Sequence, residues 1–409
     1  MVVAVSDRGS SGTDQREVGR LQVVELIRAA GQIARIDIAR ETGMSPATVT
    51  SITQQLIQAG LVEEIAPDGV LEAVRRGRPR VALRVRGTAH LVAGVKVSAR
   101  SLSAVVVDFR GNFIASHTAD LPAPQMSPDT LAAEVSHALD VTMEGIGKRR
   151  SDLSGLGLGL SGFIDAPGGT VHWSASLSER NVRIVDYFAD LGFPVFIDND
   201  ANLVAKAEHL FGEGRGINDF LVVTIEQGVG MGIVIDGQIY RGARGTGAEF
   251  GHTKVHLDGA LCRCGQRGCL EAYVSDYALL READTLMPAG ESGTPGERLD
   301  ALFAAAHEGE PIATSILNRA SRMFAMGLAN LVNIFDPKLI ILSGEQMSHE
   351  FLYADDVIAA MRTLVIQIDA PPPEVRVHKW GDQMWASGAA ALAMEGVTEL
   401  AVRKLANDA

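Results

Sequence analysis

No apolar run in this 409-residue chain approaches the roughly eighteen residues that a membrane-crossing helix requires. The N-terminus also lacks the basic stretch and the long apolar stretch of a leader, so a soluble, cytoplasmic protein without a membrane partner is expected. Aromatics are scarce at 5%, and cysteine is nearly absent. The three cysteines all fall between residues 262 and 269, which in a reducing compartment reads as metal binding rather than as a disulfide framework. Lysine is missing from residues 1–86, where 12 Arg face 10 Asp or Glu, whereas the remainder holds 25 basic and 40 acidic residues. A net charge of −13 therefore hides a nearly neutral head with local Arg clusters on an acidic body, which is compatible with nucleic-acid binding by the head alone. Apolar residues at 46% and 43 glycines suit a globular, turn-rich α/β protein, and the length suits two or three domains.

Residues 1–17 are rich in Ser, Gly and charge and are expected to form a disordered lead. From residue 18 to 86 the pattern changes. Leu21, Val24 and Ile27 recur at helical spacing before Gly31, and a short helix from about Ala34 buries Ile38 and Ala39. Thr42-Gly43-Met44-Ser45-Pro46 then supplies a positive-φ glycine, a cap and a first-turn proline. The third helix runs from Pro46 to about Ala59, with Val49, Ile52 and Leu56 inward. Its outward face is small and polar: Ala47, Thr48, Thr50, Ser51 and Gln54. Two short helices, a Gly turn and a third helix with a polar face form the pattern of a helix-turn-helix, whose second helix enters the major groove. Residues 61–65 and 81–85 read as strands flanking a wing that carries Arg75-Arg76-Gly77-Arg78-Pro79-Arg80. Gly77 lets the backbone approach a groove floor, while Arg76 and Arg78 suit a narrow, A·T-rich minor groove.

The body reads as strands near 91–97, 102–108 and 155–160, a helix over 127–146, and strands at 194–198, 219–225 and 229–236. A long helix over 311–335, a buried strand at 339–342 and a C-terminal helix from 383 follow. A strand meander followed by a helix and strand, occurring twice, predicts two α/β lobes with a cleft between them. The boundaries drawn are 87–197 together with the helix 383–409 for the first lobe, and 198–382 for the second. Three thiolates and one imidazole make a closed tetrahedral zinc site, so Cys262, Cys264 and Cys269 call for a histidine, with His252 and His256 both near. Such a Zn2+ would be structural.

Gly247-Ala248-Glu249-Phe250-Gly251-His252, Ile197-Asp198-Asn199-Asp200-Ala201-Asn202, and the cysteine cluster with Leu270-Glu271 together resemble the signature of the ROK family, which contains repressors and sugar kinases. The resemblance covers about residues 18–400, because ROK repressors also carry a winged helix with an Arg-Gly-Arg-Pro wing. It implies a winged helix-turn-helix followed by a two-lobed actin/hexokinase-like (ribonuclease H-like) sugar-binding domain. It also selects His252 as the fourth metal ligand and implies that Asn199, Asp200, Glu249, His252 and Glu271 bond sugar hydroxyls. In family kinases the residue matching Asp200 takes the proton from the attacked hydroxyl. The family's phosphate loop is Asp-x-Gly-Gly-Thr-like, whereas the matching stretch here is Lys96-Val97-Ser98-Ala99-Arg100. A second loop reads Glu226-Gln227-Gly228, and the nucleotide-side Gly-Gly reads Ser343-Gly344-Glu345. These departures imply a sensor without phosphoryl transfer. The sugar wall is altered too, reading Ser176-Leu177-Ser178-Glu179-Arg180 in place of Asn-Leu-x-Trp, with Arg180 expected at the surface.

The expected function is a homodimeric or tetrameric transcriptional repressor of sugar-metabolism genes, released from a pseudo-palindromic operator on double-stranded DNA by a sugar or sugar phosphate. Two rivals are an active sugar kinase with a DNA-binding head and a repressor controlled by a partner protein. Replacing Arg76 and Arg78 with Ala is expected to weaken operator binding and flatten its salt dependence; an unchanged affinity in a gel-shift titration would remove the wing from the DNA surface.

Overall fold

The computed structural model describes residues 12–65, 81–98, 100–225, 227–286, 293–343, 355–367, 371–378 and 384–407. The chain divides into two compact units, Met1–Asn199 with Trp385–Ala409, and Asp200–Met384. It therefore passes between them twice, at Asn199/Asp200 and at Met384/Trp385.

The first unit begins with α1 (Gly12–Ala30), so the lead expected to be disordered through residue 17 is helical from Gly12. A short β1 (Ile33–Ala34), absent from the sequence reading, precedes α2 (Arg35–Thr42) and α3 (Pro46–Gln58). Strands β2 (Val62–Ile65) and β3 (Ala82–Val85) complete a three-stranded sheet in the order β1-β3-β2. The wing residues Arg76, Gly77 and Arg78 lie outside the described residues. Val24, Ile27, Ile38, Val49, Leu56 and Leu83 are fully buried and hold this head together.

After residues 86–90 the same unit continues as a five-stranded sheet with the order β10-β7-β4-β5-β6. Its strands are β4 (Leu91–Val97), β5 (Ser101–Asp108), β6 (Phe113–Asp120), β7 (Gly155–Leu160) and β10 (Val195–Asn199). Helix α4 (Pro128–Glu144) covers one face, and the hairpin β8 (Phe163–Asp165) with β9 (Thr170–Trp173) follows β7. Strand β7 explains its own composition. In Gly155-Leu156-Gly157-Leu158-Gly159-Leu160 the leucines, all fully buried, join the core with Leu131, Val135 and Leu139 of α4. Because side chains alternate across a strand, Gly155 and Gly157 face the other way, toward α11 (Met384–Asn407). A Cβ on Gly157 would lie 1.8 Å from the carbonyl oxygen of Ala389, and one on Gly94 2.1 Å from those of Ala386 and the amide of Ala390. Helix and sheet meet backbone to backbone, which only glycine opposite alanine permits.

The second unit opens with α5 (Asp200–Phe211) and a five-stranded sheet in the order β13-β12-β11-β14-β15. These strands are β11 (Phe220–Ile225), β12 (Val229–Ile235), β13 (Gln238–Ile239), β14 (Leu339–Ser343) and β15 (Glu374–Val377). The helices are α6 (Glu271–Val274), α7 (Asp276–Leu286), α8 (Pro295–His307), α9 (Pro311–Phe335) and α10 (Asp355–Leu364). Ile316, Leu317, Phe324 and Leu328 of α9 pack with Ile340 and Leu342 of β14 and with Phe250 and Leu270 in one core. No helix among the described residues is long and apolar enough to cross a membrane.

Gly157→Val should lower the thermal unfolding midpoint, since overpacking a filled interior costs about 1–3 kcal/mol; an unchanged midpoint would mean that α11 does not rest on β7.

Candidate functional site

Helix α3 starts where its cap dictates. Gly43 closes α2 at φ 69°, the Ser45 hydroxyl accepts the Thr48 backbone N–H at 3.1 Å, and Pro46 opens the helix. Val49, Ile52, Thr53 and Leu56 are buried, so the opposite face is fixed: Ala47, Thr48, Thr50, Ser51 and Gln54 are all exposed. Two side-chain hydrogen bonds lock α3 to its neighbours. Arg20 Nε donates to Gln55 Oε1 at 2.9 Å and Arg35 Nε to Thr53 Oγ1 at 3.0 Å.

In the second unit, the ligand atoms of His252, Cys262, Cys264 and Cys269 all lie within 4.8 Å of one another. Cys262 Sγ is 3.7 Å from His252 Nδ1, and Cys264 Sγ is 3.7 Å from Cys269 Sγ. Donors about 2.0–2.3 Å from a tetrahedral ion stand roughly 3.5–3.8 Å apart, so the four fit one divalent metal. The loop gets its shape from Gly265 and Gly268, both at positive φ; a Cβ on Gly268 would sit 1.8 Å from the His256 carbonyl oxygen. His256 is outside the cluster, its Nδ1 2.8 Å from the Leu257 carbonyl. Burial pushes the Cys262 thiol up to about 12, with the nearby Glu271 adding to the rise. A bound cation would reverse that preference, since it stabilises the thiolate directly. Lys254, which the sequence reading passed over, donates to Cys269 Sγ at 2.9 Å. Three thiolates on a divalent ion leave one net negative charge, and this ammonium offsets it.

Beside the cluster stand three carboxylates. Glu249 is pushed up to about 7, chiefly by burial and then by the charges of Asp200 and Glu271. That mutual repulsion places the three acids around one volume. Glu249 also approaches His252 Nε2 at 4.0 Å, so His252 belongs to both groups. Glu271, at the start of α6, accepts the Val229 backbone N–H through Oε2 at 3.3 Å. Its Oε1 lies 3.4 Å from the Tyr277 hydroxyl and 3.6 Å from Cys262 Sγ. Tyr277 is the second residue that sequence reasoning missed. It is adjacent only because α7 follows α6 directly, six positions after Glu271, a spacing that carries no signal on its own. The structure thus brings Asp200, Glu249, His252 and Glu271 together, while Asn199 ends β10 of the first unit, next to Asp200 in the chain.

The double variant Cys264→Ser/Cys269→Ser should hold no metal by elemental analysis. Lys254→Met should keep the metal but yield it faster to a chelator. Full metal content in the double variant would reject the site.

The chain matches the ROK family model over residues 92–396 and a winged helix-turn-helix DNA-binding model over residues 20–63. It is 26% identical to the N-acetylglucosamine repressor of Escherichia coli O6:H1 over 334 residues, 81% of each chain. A putative xylose repressor of Caldicellulosiruptor sp. is 27% identical over 389 residues, 92% of this chain and 95% of that one. The glucokinase of Streptomyces coelicolor is 29% identical over 318 residues, covering 75% of this chain and 98% of the kinase. Among solved structures, a ROK family transcriptional regulator, a homologue of the E. coli MLC protein, superposes with a TM-score of 0.79 at 24% identity, over 96% of this chain and 99% of that one. A glucokinase from Streptomyces griseus in complex with glucose and AMPPNP gives 0.62 at 30% identity, over 74% and 99%. With a winged helix ahead of a family domain that spans most of its length, this chain belongs to the ROK family.

Proposed function

We propose that this protein is a transcriptional repressor of sugar-metabolism genes that leaves its operator when a sugar or sugar phosphate binds the actin/hexokinase-like domain. The observation that carries the reading is the convergence of Asp200, Glu249 and Glu271 on His252 in a chain whose α3 turns a small, polar face outward. Carboxylates clustered in this way match neighbouring sugar hydroxyls, each of which can donate to one acid and accept from another group. Asn199, adjacent in the chain to Asp200, adds an amide to the same set. On the DNA side, Ala47, Thr48, Thr50, Ser51 and Gln54 would meet the major groove, and Arg76, Gly77 and Arg78 an A·T-rich minor groove.

The metal is zinc, held by His252, Cys262, Cys264 and Cys269; with four protein ligands it supplies a structural anchor and no open coordination position. The anchor fixes the loop that ends in Glu271 and holds His252 where its other nitrogen, Nε2, faces Glu249. Hydrogen bonding of the second ring nitrogen is what orients a metal-bound histidine. Loss of zinc would therefore cost sugar recognition as well as stability.

Phosphoryl transfer is not part of this function. Lys96, where the family's kinases carry the acid of the phosphate loop, ends β4 with Nζ 3.9 Å from the centre of the Trp385 ring. The turn after it closes tightly, the Ser98 backbone N–H donating to the Ser101 carbonyl at 2.8 Å, without the pair of glycines that would open a phosphate cradle. A homodimer, or a dimer of such dimers, would present two heads to a pseudo-palindromic operator.

Thermal unfolding against a panel of sugars and sugar phosphates, with and without ATP-magnesium, tests the reading. One ligand should raise the midpoint, by the equivalent of about 2.7 kcal/mol at a hundredfold excess over its Kd, and ATP-magnesium should not. A shift by ATP-magnesium would reopen the kinase reading. Operator binding with no response to any sugar would favour control by a partner protein.

A further inference from the structure

We infer that the winged helix is pinned to the first lobe at two points and moves with it as one body, and that α11 carries a ligand-driven change from the chain crossing at Met384/Trp385 to the reading helix. The inference rests on the repressor reading above, extending it to how the signal travels.

The first pin is Arg28, in the last turn of α1, with its side chain only 5% exposed. Its Nη2 donates to Thr398 Oγ1 of α11 at 3.0 Å, its guanidinium lies 5.0 Å from the centre of the Phe109 ring, and Glu25 pairs with its charge. Farther along, Arg403 Nε of α11 donates to Glu17 Oε1 of α1 at 3.1 Å. The second pin is Arg110, in the turn between β5 and β6. Its Nε donates to the Val85 carbonyl at 2.8 Å and its Nη2 to Glu63 Oε1 at 2.7 Å, so it holds β3 and β2 of the head together. The neighbouring Phe109 N–H donates to the Gly87 carbonyl at 3.0 Å. A Cβ on Gly87 would come within 2.7 Å of Asp108 Oδ2, so the junction and this turn are in close contact.

Two attachments on different elements block the pivoting that one would allow. The junction adds no slack, since only residues 86–90 separate β3 from β4, and three of them form a 3-10 turn with Gly87 buried. A long, polar, exposed segment is what a freely tethered head would need. Burial makes Arg28 more than a surface ion pair. A guanidinium withdrawn from water keeps its charge only where partners replace the lost hydration, so its contacts break together or not at all.

Helix α11 is built to transmit. Its first residue in this unit, Trp385, follows the crossing directly and lies under Lys96. Its next turns rest on Gly94 and Gly157 with no side chain between helix and sheet to absorb a shift. Strand β7, which carries Gly157, is hydrogen-bonded in parallel to β10, which ends at the other crossing, Asn199/Asp200, among the residues assigned to the sugar. From Thr398 the path runs through Arg28 to α1, and from α1 through Arg20 and Gln55 to α3.

The test uses the full-length protein and the double variant Thr398→Val/Arg110→Gln. Three quantities are read: sugar affinity by calorimetry, operator affinity without sugar, and the ratio of operator Kd with and without saturating sugar. The variant should keep the first two within about threefold, while the ratio collapses toward one from a wild-type value that couplings of about 1–3 kcal/mol place at roughly 5–150-fold. A variant that retains the wild-type ratio overturns the proposal. A second measurement needs no substitution. Native-state hydrogen exchange of the wild type should show α1 amides protected to the level of α11, and exchange of α1 on the scale of a freely tethered segment overturns it. A wild-type protein that binds no sugar in the panel defeats the sugar reading instead and leaves the exchange result to decide the pinning.

Discussion

Contact between backbones, with no side chain interposed, governs the first half of this molecule. Helix α11 sits on β4 and β7 at a distance that Gly94, Gly155 and Gly157 alone allow, meeting Ala386, Ala389 and Ala390. The leucines between those glycines fill the opposite face with α4, so one six-residue strand serves two packing surfaces of different depth. A helix seated so closely cannot slide without the sheet. Because that helix starts at one crossing of the chain and reaches the winged helix at Thr398 and Arg403, the same contact that stabilises the lobe also sets where the head is held.

The second unit depends on a different constraint, the gathering of like charges and soft donors in a small volume. Three thiols, an imidazole and three carboxylates would repel or remain protonated without compensation, which is visible in Glu249 and Cys262 both being pushed above their ordinary values. Such a set is stable when it has something to hold. A divalent cation satisfies the sulfurs and the imidazole; Lys254 offsets the remaining charge at Cys269; sugar hydroxyls suit the acids. His252, reaching both groups, makes metal and sugar recognition parts of one arrangement rather than neighbours by accident.

These two constraints account for how a kinase-like framework can serve regulation. Phosphate recognition needs open backbone at the start of the first lobe, and this chain instead places Lys96 against Trp385 there. The acids that would orient a sugar hydroxyl for attack are all present. What they retain without a nucleotide is binding, and binding at residues next to a chain crossing is enough to bias a conformation.

Much of this was legible in the sequence because it is local. The cap at Ser45, the turn at Gly43 and the spacing of Val49, Ile52 and Leu56 dictate α3 and its outward face; the cysteine spacing with His252 dictates a metal cluster. The amino-acid order also gave the glycine–leucine alternation of β7, although not its reason, since nothing nearby says that a helix more than 200 residues later will lie on it. The extension of α1 back to Gly12 was invisible for a similar cause: Glu17 is anchored by Arg403, from the far end of the chain. Lys254 and Tyr277 gain their places from the loop closure around the cysteines, and Arg28 reads in sequence as one more exposed helical arginine. The sequence by itself determined the elements, the donor set and the chemistry they can perform. Which charges are buried, which acids face each other and how the head is fastened to the lobe were decided by tertiary structure, because those depend on distances between residues that the chain's order keeps far apart.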